Sequence, residues 1–417
     1  MKVAFLLNDL QLSGGVGVVV QHARELVLRH GHDVTLVLVR EQEAAPWEFD
    51  GLAHLHVEGL DDARRERFDV AIATWWETAY SLFELEADRY VHFLQSFEDR
   101  FYDRLTAERP AAAAILDLPV SYVTEATWIA ETLARVRPDA PCLFVRNGID
   151  KDVFRSPETL DVRLDEPLRI VVEGNPDVWF KGVYESIGVV RAMREPRHLT
   201  VVTGDASKIE PGSADAVVGP LTHREMAALY GSSDVVLKLS KVEGMFGPPL
   251  EGFHMGATCV VAPVTGFDEY IEHGWNGLVV DWDDPAGTAR ALDLLARDRR
   301  LLTFLRTNAL ETARSWPTWE QSGTFMAAAL EKIHRDPPPP PYAGARQLVA
   351  DSRLALETQR LLMHERNEYR RLAKPALRVK QTTAWRRLKR LREHPAMQPV
   401  WKLMRPFTRR VRSKLTG

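Results

Sequence analysis

Val235-Val236-Leu237-Lys238-Leu239-Ser240-Lys241-Val242-Glu243-Gly244-Met245-Phe246-Gly247-Pro248-Pro249-Leu250-Glu251-Gly252 reads as a strand, a turn and the start of a helix. Val235–Leu239 is a short apolar run rich in β-branched residues, the pattern of a strand covered on both faces. The two prolines suit the first turn of a helix, where a missing N–H costs nothing. A helix N-terminus offers unpaired N–H groups and a partial positive charge, which suits a diphosphate. Gly244 and Gly247 let the backbone come close to a ligand. Glu243 and Glu251 place a carboxylate on either side, able to accept hydrogen bonds from sugar hydroxyls. A capped turn with two surface glutamates is the plainer alternative. Its place between a strand and a helix, with glycines and prolines in the turn, favours a ligand site.

Outward from this stretch the strand–helix alternation repeats. In the second half Leu168–Val172, His198–Thr203, Ala216–Val218, Thr258–Ala262 and Leu278–Val280 are further apolar strands. In the first half Lys2–Leu7, Val34–Val39, Val70–Ala73 and Tyr90–Leu94 play the same part. Gly14–Gly17 forms a Gly-rich turn before a helix over Val18–His30, which stops at Gly31. Short apolar strands separated by helices indicate parallel sheets covered on both faces. The fold class is α/β, with two doubly wound, Rossmann-like units facing a cleft. A chain of 417 residues accommodates both and an appendage. The expected divisions are 1–165, 166–335, a Pro-rich linker over 336–345 and a helical tail over 346–417. Pro337–Pro341 make the linker a stiff spacer. One helical run starts at Asp284-Pro285 and continues to about Arg335.

Charge separates the tail from the body. Residues 366–417 carry 17 Lys and Arg against Glu368 and Glu393, while residues 1–365 carry 37 bases against 56 acids. A basic tail on an acidic body points to an anionic partner for the tail alone. Trp385, Trp401 and Phe407 interleave with its arginines, as in nucleic-acid grips or helices lying on anionic lipid. A solvated tail is the plain alternative. No apolar run approaches the ~18 residues of a membrane-crossing helix. The N-terminal Met1–Asp9 reads as a buried strand and not a signal peptide. Cys142 and Cys259 lack any metal-ligand or disulfide spacing, which fits a reducing cytoplasm. Over 346–372, Leu348, Ala355, Leu362 and Tyr369 recur every seventh residue, a weak basis for self-association.

Glu243–Glu251 resembles the E-x7-E signature of retaining GT-B glycosyltransferases, in particular glycosyltransferase family 4. The resemblance covers about residues 1–335. Val145-Arg146-Asn147-Gly148-Ile149-Asp150 with Phe154 is similar to the family's N-G-I-D segment. Val264-Thr265-Gly266-Phe267-Asp268-Glu269 and Asn276-Gly277-Leu278 resemble its G-G-x-x-E and N-G-L segments. The resemblance implies that Glu243 contacts the donor sugar and Glu251 the ribose of a nucleotide-sugar. Gly244, Met245, Phe246 and Gly247 would line the donor between them. Lys181-Gly182 resembles the family's K-G, whose lysine binds donor phosphate, so Lys181 and Glu243 are the expected catalytic pair. Where the family has G-R, this chain reads Gly174-Asn175. Asn175 stands among the expected donor residues, but a bidentate phosphate clamp is lost. Lys238 or Lys241 would have to substitute, or Lys181 and the helix N-terminus suffice.

Gly14-Gly15-Val16-Gly17 is by itself a turn needing positive φ. The resemblance instead brings Gly15 and Gly17 to the donor phosphate. Thr74–Tyr80 and Tyr90–Asp99 resemble segments of bacterial polysaccharide rhamnosyltransferases, which implies acceptor-side roles for Trp76, Gln95, Glu98 and Asp99. Ordinary core is the other reading for the tryptophans. Asp281-Trp282-Asp283 matches a D-x-D metal motif, but loop and capping chemistry before Asp284-Pro285 explain it. The resemblance implies no cofactor and no catalytic metal. It implies a retaining transfer of a hexose or deoxyhexose onto a glycan or glycolipid in cell-surface polysaccharide synthesis. The enzyme would work in the cytoplasm at the inner membrane face, with residues 376–417 on anionic lipid. A GT-B sugar-nucleotide epimerase, a phosphorylase and a tail-mediated nucleic-acid binder are the alternatives. A phosphorylase using pyridoxal phosphate would need a Schiff-base lysine and a much longer chain, and an epimerase no polybasic tail.

Overall fold

The computed structural model describes residues 1–42, 47–162, 166–337 and 344–381. Two all-parallel sheets follow one another along the chain. The first comprises β1 (Lys2–Leu7), β2 (Asp33–Leu38), β3 (His56–Gly59), β4 (Arg67–Ala73), β5 (Glu86–Leu94), β6 (Ser121–Thr124) and β7 (Cys142–Phe144), in the order 3-2-1-4-5-6-7. The second comprises β8 (Leu168–Glu173), β9 (Arg197–Val202), β10 (Ala216–Val218), β11 (Val235–Lys238), β12 (Thr258–Val261) and β13 (Gly277–Val279), in the order 10-9-8-11-12-13. Helices α1 (Gly14–Leu28), α2 (Leu60–Ala63), α3 (Trp76–Ala79), α4 (Glu108–Ala114) and α5 (Thr127–Val136) belong to the first half. The second half has α6 (Val183–Arg191), α7 (His223–Gly231), α8 (Gly247–His254), α9 (Pro285–Arg297) and α10 (Arg299–Ser315), followed by α11 (Trp319–Arg335) and α12 (Ala345–Gln381). Both sheets lie in one compact unit, Met1–Arg353, and Leu354–Gly417 is a second.

The strand order reverses between β1 and β4 in the first sheet and between β8 and β11 in the second. In doubly wound sheets ligands bind outside the carboxyl ends of the strands at such a reversal. Val235 pairs with Ile170 and Val236 with Val171, which brings the ends of β8 and β11 side by side. The Val235–Gly252 stretch begins on β11 and runs straight into α8.

Several expectations need correction. The run from Asp284 to Arg335 is three helices, capped by the side chains of Asp284, Asp298 and Thr318. The last of them, α11, does not pack with the second sheet. Met326, Ala327, Leu330 and Ile333 share a core with Val3, Phe5 and Val20 of the first. A Cβ on Gly323 would lie 2.4 Å from Glu25 Cβ, so glycine there lets α11 rest directly on α1. Periodicity shows that a helix has an apolar face but not which sheet receives it. The crossover passes through the N-G-I-D segment. Ile149 bridges to Thr318, the Trp316 indole donates to Asn147 O at 2.9 Å, and a Cβ on Gly148 would meet Trp319 N at 2.4 Å.

Gly14–Gly17 is not a turn with positive φ; it is the first turn of α1, with Ser13 as N-cap accepting from Val16 N. The helical tail starts as expected but runs as one helix from Ala345 to Gln381. Its first turns rest on the first domain. Arg346 Nε donates to Phe83 O at 3.1 Å and Arg353 to Tyr80 O at 2.9 Å. Residues 338–343 of the expected linker and 382–417 of the basic tail lie outside the described residues. No helix among the described residues is long and apolar enough to cross a membrane.

Candidate active site

At the reversal of the second sheet, β8 ends in Glu173 and β11 in Lys238. Lys238 is buried, and its Nζ donates to Glu173 Oε2 at 2.7 Å and to Glu173 O at 3.3 Å. Burial pulls the Lys238 ammonium down, but Glu173 and Glu243 outweigh it and hold its pKa above the ordinary value. Burial likewise opposes ionisation of Glu173, but Lys238 and Lys181 keep its carboxyl below the usual range.

Lys181 arrives from the loop before α6. Gly182, the N-cap of α6, has φ +65°, and a Cβ there would sit 2.3 Å from Leu239 O. Only glycine lets this loop close onto the end of β11, and that contact sets the height of Lys181. Its Nζ donates to both oxygens of Glu243, at 2.9 and 3.0 Å, and Lys238 Nζ stands 4.0 Å from Glu243 Oε1. Two lysines and two glutamates therefore alternate across the strand ends.

Beyond Glu243 the loop turns into α8. Pro248 and Pro249 occupy its first turn, so two of the backbone donors expected at a helix N-terminus are absent. Phe246 and Gly247 keep theirs, and a Cβ on Gly247 would face open space. Glu251 lies one turn into α8. Burial pushes its carboxyl up to about 7; His223 and Lys238 oppose the rise and Glu173 adds to it. Phe246, expected among the donor residues, has a fully buried side chain, and its carbonyl accepts from Tyr270 OH. Asn175 Oδ1 accepts from Asp177 N at 3.0 Å, so this side chain shapes its own turn. Lys241 lies on the outside, 3.8 Å from Glu185, whereas Lys238 is inside the cluster. In the D-x-D stretch, Asp281 Oδ1 accepts from Asp283 N, an ordinary loop contact.

The first domain meets this loop through the ends of β5 and β6. Gln95 Nε2 donates to Gly15 O at 3.3 Å, and a Cβ on Gly15 would come 3.1 Å from Gln95 Oε1. Gly17 is in ordinary contact range of Phe49. A Cβ on Gly244 would lie 1.9 Å from Gln95 O, so the two domains touch backbone to backbone there. Ser96 Oγ donates to Glu243 O at 3.4 Å. Gly15, Gln95, Gly244, Glu243 and Lys181 thus form one cluster at the domain junction.

Two acceptor-side expectations do not fit. Trp76 is 1% exposed and donates its indole N–H to Tyr102 OH at 2.9 Å; it is core. Glu98 is buried, accepts from Trp76 N and lies 3.8 Å from His92 Nε2. Their hydrogen bonds tie the start of α3 to the 98–102 segment. Asp99 is half-buried and 3.4 Å from Arg109.

Sequence reasoning passed over Glu125, on the turn from β6 into α5, and Trp128, in the first turn of α5. Glu125 Oε1 accepts from Met245 N at 3.1 Å, and Trp128 Nε1 donates to Gly244 O at 3.0 Å. A position just past the carboxyl end of an interior strand is the signal that marks them, but β6 was itself not foreseen.

Comparison with known proteins falls on this second domain. Residues 168–298 match the family model described as Glycosyl transferases group 1. Over 130 residues the chain is 30% identical to D-inositol 3-phosphate glycosyltransferase 1 of Catenulispora acidiphila, covering 31% of this chain and 29% of that protein. The corresponding protein of Corynebacterium jeikeium is 29% identical over 130 residues, with 31% and 30% covered. The match thus spans less than a third of these relatives. Similarity in structure is broader. Anabaena HepE in complex with UDP and glucose superposes with a TM-score of 0.63 at 15% identity, over 80% of this chain and 100% of that one. WaaG, a glycosyltransferase involved in lipopolysaccharide biosynthesis, gives 0.60 at 17% identity with the same coverage. At such identities these likenesses show the fold, and that fold is GT-B.

Proposed function

We propose that the protein is a glycosyltransferase that takes a hexose or deoxyhexose from a nucleotide-sugar and transfers it, with retention, to a glycan or glycolipid acceptor. The observation that carries this reading is the Lys181–Glu243 ion pair beside the N-terminus of α8, within the segment matching the group 1 model. A diphosphate placed at Phe246 and Gly247 would draw the Lys181 ammonium toward itself. Glu243, released from Lys181, would then accept hydrogen bonds from the sugar hydroxyls, and Glu251 from the ribose. As the bond to the sugar breaks, negative charge grows on the leaving diphosphate, and a cation fixed beside it lowers the barrier. The acceptor would enter along Gln95 and Asp99, on the same face as the leaving group. No nucleophilic carboxylate is assigned. Where the family's arginine is missing at Asn175, Lys238 would add positive charge to the site from beside Glu173 without binding phosphate in a bidentate way. Residues 376–417 would hold the enzyme on an anionic membrane surface at its cytoplasmic face, a role supported by their charge.

The test is release of nucleotide from UDP-, GDP-, dTDP- and ADP-sugars, with glycolipid acceptors presented in anionic vesicles. The expected result is acceptor-dependent release from one series, with the donor's anomeric configuration kept in the product and the rate falling as salt is raised. Turnover of none of them, or an inverted product, would contradict the reading.

A further inference from the structure

The peptide unit joining Gly244 to Met245 belongs to the second domain, yet both of its polar atoms are held by the first. Its carbonyl accepts from Trp128 Nε1 at 3.0 Å, and its N–H donates to Glu125 Oε1 at 3.1 Å. The grip is tight on every side. A Cβ on Gly244 would lie 3.2 Å from Glu125 Oε1 and 1.9 Å from Gln95 O, and one on Gly266 2.2 Å from Gly244 O. Glu125 is itself fixed. Asn147 Nδ2 donates to its Oε2 at 2.7 Å, and Asn147 Oδ1 lies 3.3 Å from Nε2 of the fully buried His22. The line His22–Asn147–Glu125 thus runs from α1 through the first domain to one peptide of the loop that carries Glu243.

We propose that Glu125 is a positioning residue: its buried carboxyl latches the Gly244–Met245 peptide and so sets Glu243 and the start of α8 in register with the first domain. The role in catalysis rests on the function proposed above; the latch itself does not.

The surroundings of Glu125 make the latch respond to pH. From α1 comes His22, whose pKa burial pushes down to about 4, so it is neutral near pH 7. From the loop comes Glu243, already paired with Lys181. From the 264–269 turn comes Glu269, which accepts from Thr127 N and Thr127 Oγ1 and has Arg146 3.6 Å from its other oxygen. Among the described residues no cation pairs with Glu125. Burial pushes its carboxyl up to about 7, against the pull of the Asn147 and Met245 hydrogen bonds. Withdrawn from the latch into water, it would return to the ordinary carboxylate range of about 4.3. The latched state therefore binds the extra proton between these values. Its advantage is complete at the acid end and is lost as pH rises through about 7.

The experiment measures hydrogen exchange of the 243–247 segment, corrected for intrinsic rates, in the full-length wild type, Glu125→Gln and Glu125→Ala between pH 6 and 8.5. Melting curves and nucleotide affinity accompany it. Wild-type protection should fall as pH is raised through about 7. Glu125→Gln, whose amide carbonyl still accepts from Met245 N, should stay protected with that pH dependence gone. Glu125→Ala should lose about tenfold in protection at pH 6, the scale of one hydrogen bond, with the gap to the wild type narrowing as pH rises through about 7, and should lose a similar factor in turnover. Its affinity for nucleotide, held by the second domain, should move less. Unchanged protection in Glu125→Ala, or a wild-type pH profile in Glu125→Gln, would overturn the proposal. Absence of turnover in all three proteins with the exchange pattern intact would instead count against the transferase reading alone.

Discussion

Lys181→Ala lowers kcat/KM for sugar transfer on the order of 10²-fold, the scale of removing one preorganised donor from a developing negative charge. The side chain is 28% exposed and its pair with Glu243 is a partly solvated one. Pairs of that kind contribute about 1 kcal/mol or less to folding, so the melting temperature should move by a few degrees at most. Lys238 cannot simply take its place. Its Nζ is bound to the carbonyl and carboxylate of Glu173 and stands 4.0 Å from Glu243. Steady-state kinetics with donor and acceptor varied separately checks this. The loss should sit in kcat, because the leaving diphosphate is more negative in the transition state than in the bound donor. A loss below about threefold would mean that Lys238 and the two free N–H groups of α8 carry the leaving-group charge by themselves.

Gly244→Ala should be at least as damaging, for a steric reason. The added methyl would sit 1.9 Å from Gln95 O, a backbone atom at the end of β5 that cannot rotate aside. The loop must then back away from the first domain, which gives up the Trp128 and Glu125 hydrogen bonds and displaces Glu243. A displacement of about 1 Å at a reacting site costs on the order of 10²-fold. Nucleotide binding on the second domain should survive better than transfer, since Lys181, Glu251 and the start of α8 do not touch Gln95. Gly247→Ala is the natural contrast, because a Cβ there meets nothing within 4 Å. Parallel measurement of melting, nucleotide affinity and transfer in the two variants separates a lost domain contact from a blocked ligand pocket. Wild-type transfer by Gly244→Ala would contradict the close approach.

The decisive stretch was legible because its pattern is local. Val235–Leu237 is apolar without interruption, and glycines and prolines then punctuate the turn into α8. What escaped was set by tertiary context. Ser121–Thr124 is fully buried, yet three of its four residues carry hydroxyls, so apolar periodicity does not mark it as an interior strand. His56–Gly59 and Cys142–Phe144 lie at the edges of the sheet and are too short to show a period. Gly14–Gly17 looked like a turn because glycine is a poor helix former. The Ser13 cap and the crowding of Gly15 by Gln95 override that propensity. The destination of α11 could not be read, since its apolar face fits either sheet. Trp76 lies in one motif-like stretch and Glu98 and Gln95 in another, but only folding sends Trp76 and Glu98 inward and leaves Gln95 at the cleft. Glu125 carries no motif. A glutamate after a strand reads as surface until the second domain closes over it.

The proposed nucleotide-sugar site is built by Lys181, Glu243, Glu251 and the start of α8. Calorimetric titration of the full-length protein with UDP, GDP, dTDP and ADP, with Glu251→Ala in parallel, tests it most directly. The prediction is that one of the four binds well ahead of the others, and that Glu251→Ala weakens that nucleotide about tenfold or more, as loss of a charged hydrogen-bond acceptor should. Failure of all four to bind, or equal binding by the variant, would contradict the assignment of this site to the donor.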